Sequence, residues 1–125
     1  MVEVQKITVT TTGENASATG TGYGARAVNG EVRAVYVDWS ADAPNTSDID
    51  VVVESDDNRP EVVLYGKDNA VADLWVYPKV QSTDTAGAAI SGEYQHPLAN
   101  GRVKVDVAGC NALTTAVTVY VFVWR

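Results

Sequence analysis

The sequence predicts an all-β fold: a single-domain antiparallel β-sandwich over residues 1–125, of about seven or eight strands, in jelly-roll or immunoglobulin-like order. Three observations predict it. Valine and threonine dominate, with 22 Val and 12 Thr against 4 Leu, 3 Ile and 1 Met, an alphabet that suits pleated sheets and lacks most strong helix formers. Apolar residues recur with period two rather than 3.6, between clusters of Gly, Asn, Asp and Pro spaced as in sandwiches and barrels. Finally, 125 residues with 46% hydrophobic and 20% charged content suit one core and leave no room for a second.

A strand begins almost at Met1. Val2 and Val4 share one phase, Ile7 and Val9 the other, so a bulge or change of face is expected near Gln5-Lys6. The small-residue run Ala16 to Gly24 reads as a glycine-rich loop or, better over Ala16–Thr21, a flat strand close to another backbone. Asn29-Gly30 is the strongest hairpin signal, because both residues tolerate positive φ. The strand after it sets Val35, Val37 and Trp39 on one face and Val32, Ala34 and Tyr36 on the other. Two apolar faces imply cover on both sides.

Ser40–Ser47 is turn-rich, and Asp48–Glu54 then alternates Ile49, Val51 and Val53 inward with Asp48, Asp50 and Glu54 outward. Turns at residues 56–60 and 67–70 lead into Glu61–Tyr65 and Val71–Val80; Pro78 demands an edge position or a bend in the latter. Gln81 to Pro97 is the longest irregular segment, and Asn100-Gly101 reads as a second tight turn. Val103, Val105 and Val107 then point inward. The last strand carries Val117, Val119, Val121 and Val123 on one face and Thr118, Tyr120, Phe122 and Trp124 on the other. A two-layer sandwich has one inner face per sheet, so the second row needs a cover. The N-terminal strand, the Gln81–Pro97 segment and another subunit are the candidates; a neighbouring subunit is the expected one, placing Val2, Val4, Tyr120, Phe122 and Trp124 at an interface between copies, in a homotrimer.

Charge excludes several functions. The net charge is −7, and the stretch Asp38–Asp73 holds ten acids against Arg59 and Lys67, so the remainder is nearly neutral. No basic patch is present to displace counterions from nucleic acid, and the acidic stretch repels phosphate and anionic membranes. Nucleic-acid and membrane partners are therefore not expected. No run approaches the ~20 apolar residues of a spanning helix. Lys6, Thr8 and Thr10 interrupt any leader-like start, so synthesis in a reducing cytoplasm is expected.

Catalytic patterns are equally thin. The single His96 has no zinc spacing, phosphate loop or nucleophile elbow to join, so no enzyme and no cofactor are expected. Cys110 cannot form an intrachain disulfide and has no flanking cation to lower its pKa. Asp48, Asp50, Glu54, Asp56 and Asp57 read as a solvated rim, since one short loop offers calcium too few oxygens. Asp73, Trp75 and Tyr77 share a face of one strand. They form a possible ligand platform for a carbohydrate; alternatively Trp75 and Tyr77 cover one end of the core.

The run Thr85-Ala-Gly-Ala-Ala-Ile-Ser-Gly-Glu-Tyr-Gln-His-Pro97, with the threonine-rich Thr8–Thr12, the Ala/Ser/Thr/Gly run and the Ser40–Asp48 loop, resembles small β-rich virion proteins of tailed bacteriophages. The run departs from the family pattern at Thr85 and Ser91. The likeness covers most of the chain and consists of structural residues, with no active-site signature in it. It implies a virion component, most like a capsid decoration (cement) protein that binds the major capsid protein at the capsid surface, often as a trimer. A host-attachment module or another head–tail component is the alternative it implies.

Overall fold

The computed structural model describes all 125 residues and contains ten strands and no helix. They are β1 (Val2–Val9), β2 (Ala18–Tyr23), β3 (Val28–Trp39), β4 (Asp48–Glu54), β5 (Val62–Lys67), β6 (Leu74–Val76), β7 (Val80–Thr83), β8 (Ala89–Gln95), β9 (Leu98–Cys110) and β10 (Val117–Trp124). Eight form one antiparallel sheet that folds over into two layers, β1-β10-β3-β6 and β2-β9-β4-β5. The result is an all-β, sandwich-like domain. On one side the layers join where the starts of β3 and β9 pair, Val28–Glu31 against Leu98–Gly101. On the other, Thr12 and Thr19 exchange backbone hydrogen bonds of 2.9 and 3.0 Å.

Valine fills the space between the layers. Val35, Val37, Val119, Val121 and Val123 from one layer belong to the same buried cluster as Val51, Val53, Val103, Val105 and Val107 from the other. Period-two alternation works here because each strand has one inner face, and each buried valine contributes roughly 1.5–3 kcal/mol. Cys110 lies within this cluster, fully buried.

Three expectations require correction. The first concerns the bulge offered for β1 as the alternative to a change of face: the strand pairs with β10 without interruption from Val2↔Trp124 to Val9↔Val117, and its apolar residues change face instead. Its alternation is strict, with Glu3 and Gln5 buried ahead of Ile7 and Val9 while Val2 and Val4 face out. Polar residues inside and valines outside invert the usual rule for a strand. The irregularity lies instead in β3, where Phe122 pairs Ala34 and Val123 pairs Val32, so that Arg33 is the extra residue and Val32 turns inward.

Second, neither Asn-Gly pair makes a hairpin turn. Asn29-Gly30 and Asn100-Gly101 lie inside β3 and β9 and pair with each other where the sheet crosses between layers. Close approach accounts for both glycines: a Cβ at Gly30 would sit 2.2 Å from the Trp124 carbonyl oxygen, and one at Gly101 2.2 Å from that of Glu54. The same pressure explains β2, where a Cβ at Gly20 would meet the Thr10 carbonyl oxygen at 2.1 Å.

Third, residues 81–97 are not irregular. β7 and β8 form a hairpin that pairs with no other strand. The strand expected at Val71–Val80 is interrupted at Pro78, which is buried, and divides into β6 and β7. These divisions raise the count from seven or eight strands to ten.

Candidate interaction surface

The outer face of the β1-β10-β3-β6 layer follows from register. Lys6 pairs Tyr120, Tyr120 pairs Tyr36, and Tyr36 pairs Trp75, one row across four strands. The next row runs from Val4 through Phe122 to Ala34, and beyond it Val2 pairs Trp124. The rings touch: Tyr36 and Trp75 have centroids 4.9 Å apart, Trp75 and Phe122 5.5 Å, and Trp75 and Tyr77 6.3 Å with planes inclined by only 11°. The two sites read separately from the sequence, Val2/Val4/Tyr120/Phe122/Trp124 and Trp75/Tyr77, are therefore one surface.

That surface is open. Trp75 is 50% exposed and Tyr77 67%, so neither is a lid on the core; Val2 and Val4 are 44% and 49% exposed. With ~150–250 Å² for a large aromatic side chain, these four and the half-buried rings expose apolar area on the order of 500 Å². That is the upper end of what a monomer shows to water. Cations lie over two rings: Lys6 Nζ is 5.9 Å from the Tyr120 centroid, and the Arg33 guanidinium 5.3 Å from that of Trp124.

Asp73 serves the fold. Its Oδ1 accepts a 2.7 Å hydrogen bond from the Trp39 backbone N–H, fastening the strand that carries Trp75 to the end of β3. The inverted start of β1 is held the same way. Glu3 Oε2 accepts from Arg26 Nε at 2.8 Å and Gln5 Nε2 at 2.6 Å, and Oε1 accepts from an Arg125 guanidinium nitrogen at 2.6 Å. The Arg26 and Arg125 guanidiniums hold this carboxyl below the usual glutamate range. Satisfied this way, an acid can point inward and leave the outward positions to valine.

The outer face of the β2-β9-β4-β5 layer is of another kind. Lys104 lies within 3.1–3.6 Å of Glu54, Glu61 and Asp106, whose carboxylates hold it well above the usual lysine range. Thr21 donates to Asp106 at 2.6 Å, and the Arg102 guanidinium stands 5.3 Å from the Tyr23 ring. Acids of the Asp38–Asp73 stretch are spread along this side: Asp48 accepts from the Asn69 N–H, and Asp57 pairs with Arg59 and is held low by it. No three His, Cys, Asp or Glu side chains converge closely enough to hold a metal ion. His96 is exposed beside Pro97 and makes no side-chain hydrogen bond.

Sequence reasoning missed Tyr36 as part of the surface, reading it only as one apolar face of its strand. Its pairing with Tyr120 depends on which strands become neighbours, which spacing does not reveal. No protein-family model, curated protein or solved structure matches the chain.

Proposed function

We propose that this chain is a binding protein rather than an enzyme: a structural component of a tailed-bacteriophage virion, made in the host cytoplasm. Its place is the capsid surface, as a decoration protein that binds and stabilises the shell of major capsid protein. One observation carries the reading of a protein-binding role. The first residues of β1 point valines outward and a carboxylate inward, completing an aromatic outer face suited to contact with protein. Similarity of residues 85–97 to virion proteins supplies the virion. The partner over Val2, Val4, Tyr120, Phe122 and Trp124 is another copy of the chain in a homotrimer, and the capsid takes the trimer by its remaining surface. Purified protein added to undecorated capsids should bind at a fixed copy number and raise their heat resistance. Occurrence only in isolated tails would overturn the assignment.

A second reading has its own observation. Trp75 and Tyr77 are exposed, with ring planes nearly parallel, the arrangement on which a pyranose can stack. Glycan-array binding lost in Trp75→Ala, with the fold intact by circular dichroism, would favour a host-attachment module. An array with no binding at all would remove it.

A further inference from the structure

Nothing outside itself holds the β7–β8 hairpin. Its strands pair only with each other, and no residue from 79 to 96 is buried. A lone two-stranded hairpin is marginal in water, yet this one keeps both strands across a register break between Gln81 and Thr83 and is fastened from within. Asp84 Oδ1 accepts from the backbone N–H groups of Ala86 and Ala88 at 2.9 and 3.0 Å, and Gly87 takes φ +83° at the tip. Lys79 Nζ stands 4.3 Å from the Tyr94 ring centre. At the root Pro78 and Pro97 are buried, and the Pro97 carbonyl accepts from the Val32 N–H. The root follows directly on Tyr77, so the hairpin leaves the domain at the rim of the aromatic face.

We propose that this hairpin is an arm that lies across the aromatic face of a second copy of the chain, head to tail, each copy giving one arm and receiving one. Every chain carries one arm and one face, both without a partner. The face alone exposes on the order of 500 Å², short of the ~800 Å² per partner of a stable interface. An arm exposed on both sides supplies the difference, because each chain is then buried twice, once as donor and once as receiver. Charge fits too. Lys6, at the β1 end of the row that runs through Tyr120 and Tyr36 to Trp75, is in no ion pair, and Glu93 is an exposed, unpaired acid on the arm. Arg33, the other cation of the face, already has Glu31. A head-to-tail contact closes into a ring when its rotation permits, and a ring of three is the homotrimer. The inference rests on the self-association in the proposed function and is independent of the capsid.

Complementation tests it. One variant replaces residues 81–94 by Asn-Gly, closing the root with a two-residue turn; the other is Phe122→Asp. Each alone should sediment as a monomer at micromolar concentration, with wild-type circular dichroism. Mixed in equal amounts they should form a two-chain species and stop there, since one retains a face and the other an arm. A pair that does not threaten folding gives the second arm of the test. Lys6→Glu and Glu93→Lys should each weaken association at least tenfold, and together in one chain restore it. An armless chain of wild-type mass, a mixture that stays monomeric, or charge reversal without rescue would each overturn the arm. A monomeric wild-type chain would overturn it as well, while binding to undecorated capsids, measured separately, decides the virion reading by itself.

Discussion

The two layers of the sandwich share a plan and differ in what they present outside. In each, a long strand starts at an Asn-Gly corner and lies beside a strand whose final carbonyl touches the other's glycine: β3 beside β10, and β9 beside β4. Both inner faces are valine. The outer faces diverge. One is a net of hydrogen-bonded charges around Lys104, the solvated face expected of an antiparallel sheet. The other is a field of aromatic rings flanked by Val2 and Val4. Because the inner faces match, folding alone does not require the difference. The proposed function assigns it to what each face would meet, water on the charged side and protein on the aromatic one.

The corners offer the largest effect and the sharpest check on the shared plan. Gly30→Ala and Gly101→Ala place a methyl 2.2 Å from a backbone oxygen, and each should cost about 2–4 kcal/mol, or roughly 10 °C in Tm. Similar losses from both would support the correspondence of the layers; a loss from one alone would break it. On the outer faces the expected changes are opposite in kind. Phe122→Asp should weaken self-association more than about 100-fold while leaving the Tm of dilute protein within a few degrees. Lys104→Met should leave the sedimenting mass unchanged and alter stability by about 1 kcal/mol, because the carboxylates it pairs with stand half in water. A mass change from Lys104→Met would reverse the assignment of the faces.

The smallest effect concerns pH. Glu3 titrates below its ordinary value because Arg26 and Arg125 stabilise the carboxylate, so its stabilising contribution is complete above the unfolded value of about 4.3 and disappears as pH falls through the lower, folded one. Glu3→Gln should therefore lower Tm at neutral pH, and its deficit should shrink as pH drops from about 5 to 3. A deficit that does not change with pH would mean that the ion pairs contribute nothing to holding β1 in its inverted orientation.

How far the sequence speaks depends on whether a residue's role is local. The valine rows of β4, β9 and β10 were legible because alternation directly states one buried face. The role of Asn-Gly was not: the dipeptide announces a turn, and only the carbonyls of Trp124 and Glu54, distant in sequence, make glycine necessary inside a strand. β1 was half legible for a related reason. The pattern left a bulge and a change of face both open, and only partners as far off as Arg26 and Arg125, which let Glu3 sit inside, decide for the change of face. Tyr120, Phe122 and Trp124 were legible as the second row of β10, whereas its union with Trp75, Tyr77 and Tyr36 required the strand order. The hairpin was hidden by its own composition, small residues with a bulge at Gly92 in place of clean alternation.

One comparison puts the difference between the faces to the test most directly. Tyr77 lies on the aromatic side and Tyr23 on the charged side, and in the single chain Tyr77 is the more exposed, 67% against 46%. Hydroxyl-radical footprinting of purified wild-type protein at micromolar concentration reads both in one sample. If a second copy covers the aromatic face, Tyr77 is oxidised more slowly than Tyr23, and the order reverses in Phe122→Asp. Faster oxidation of Tyr77 in the wild-type protein, as its exposure in the single chain dictates, would contradict a covered face.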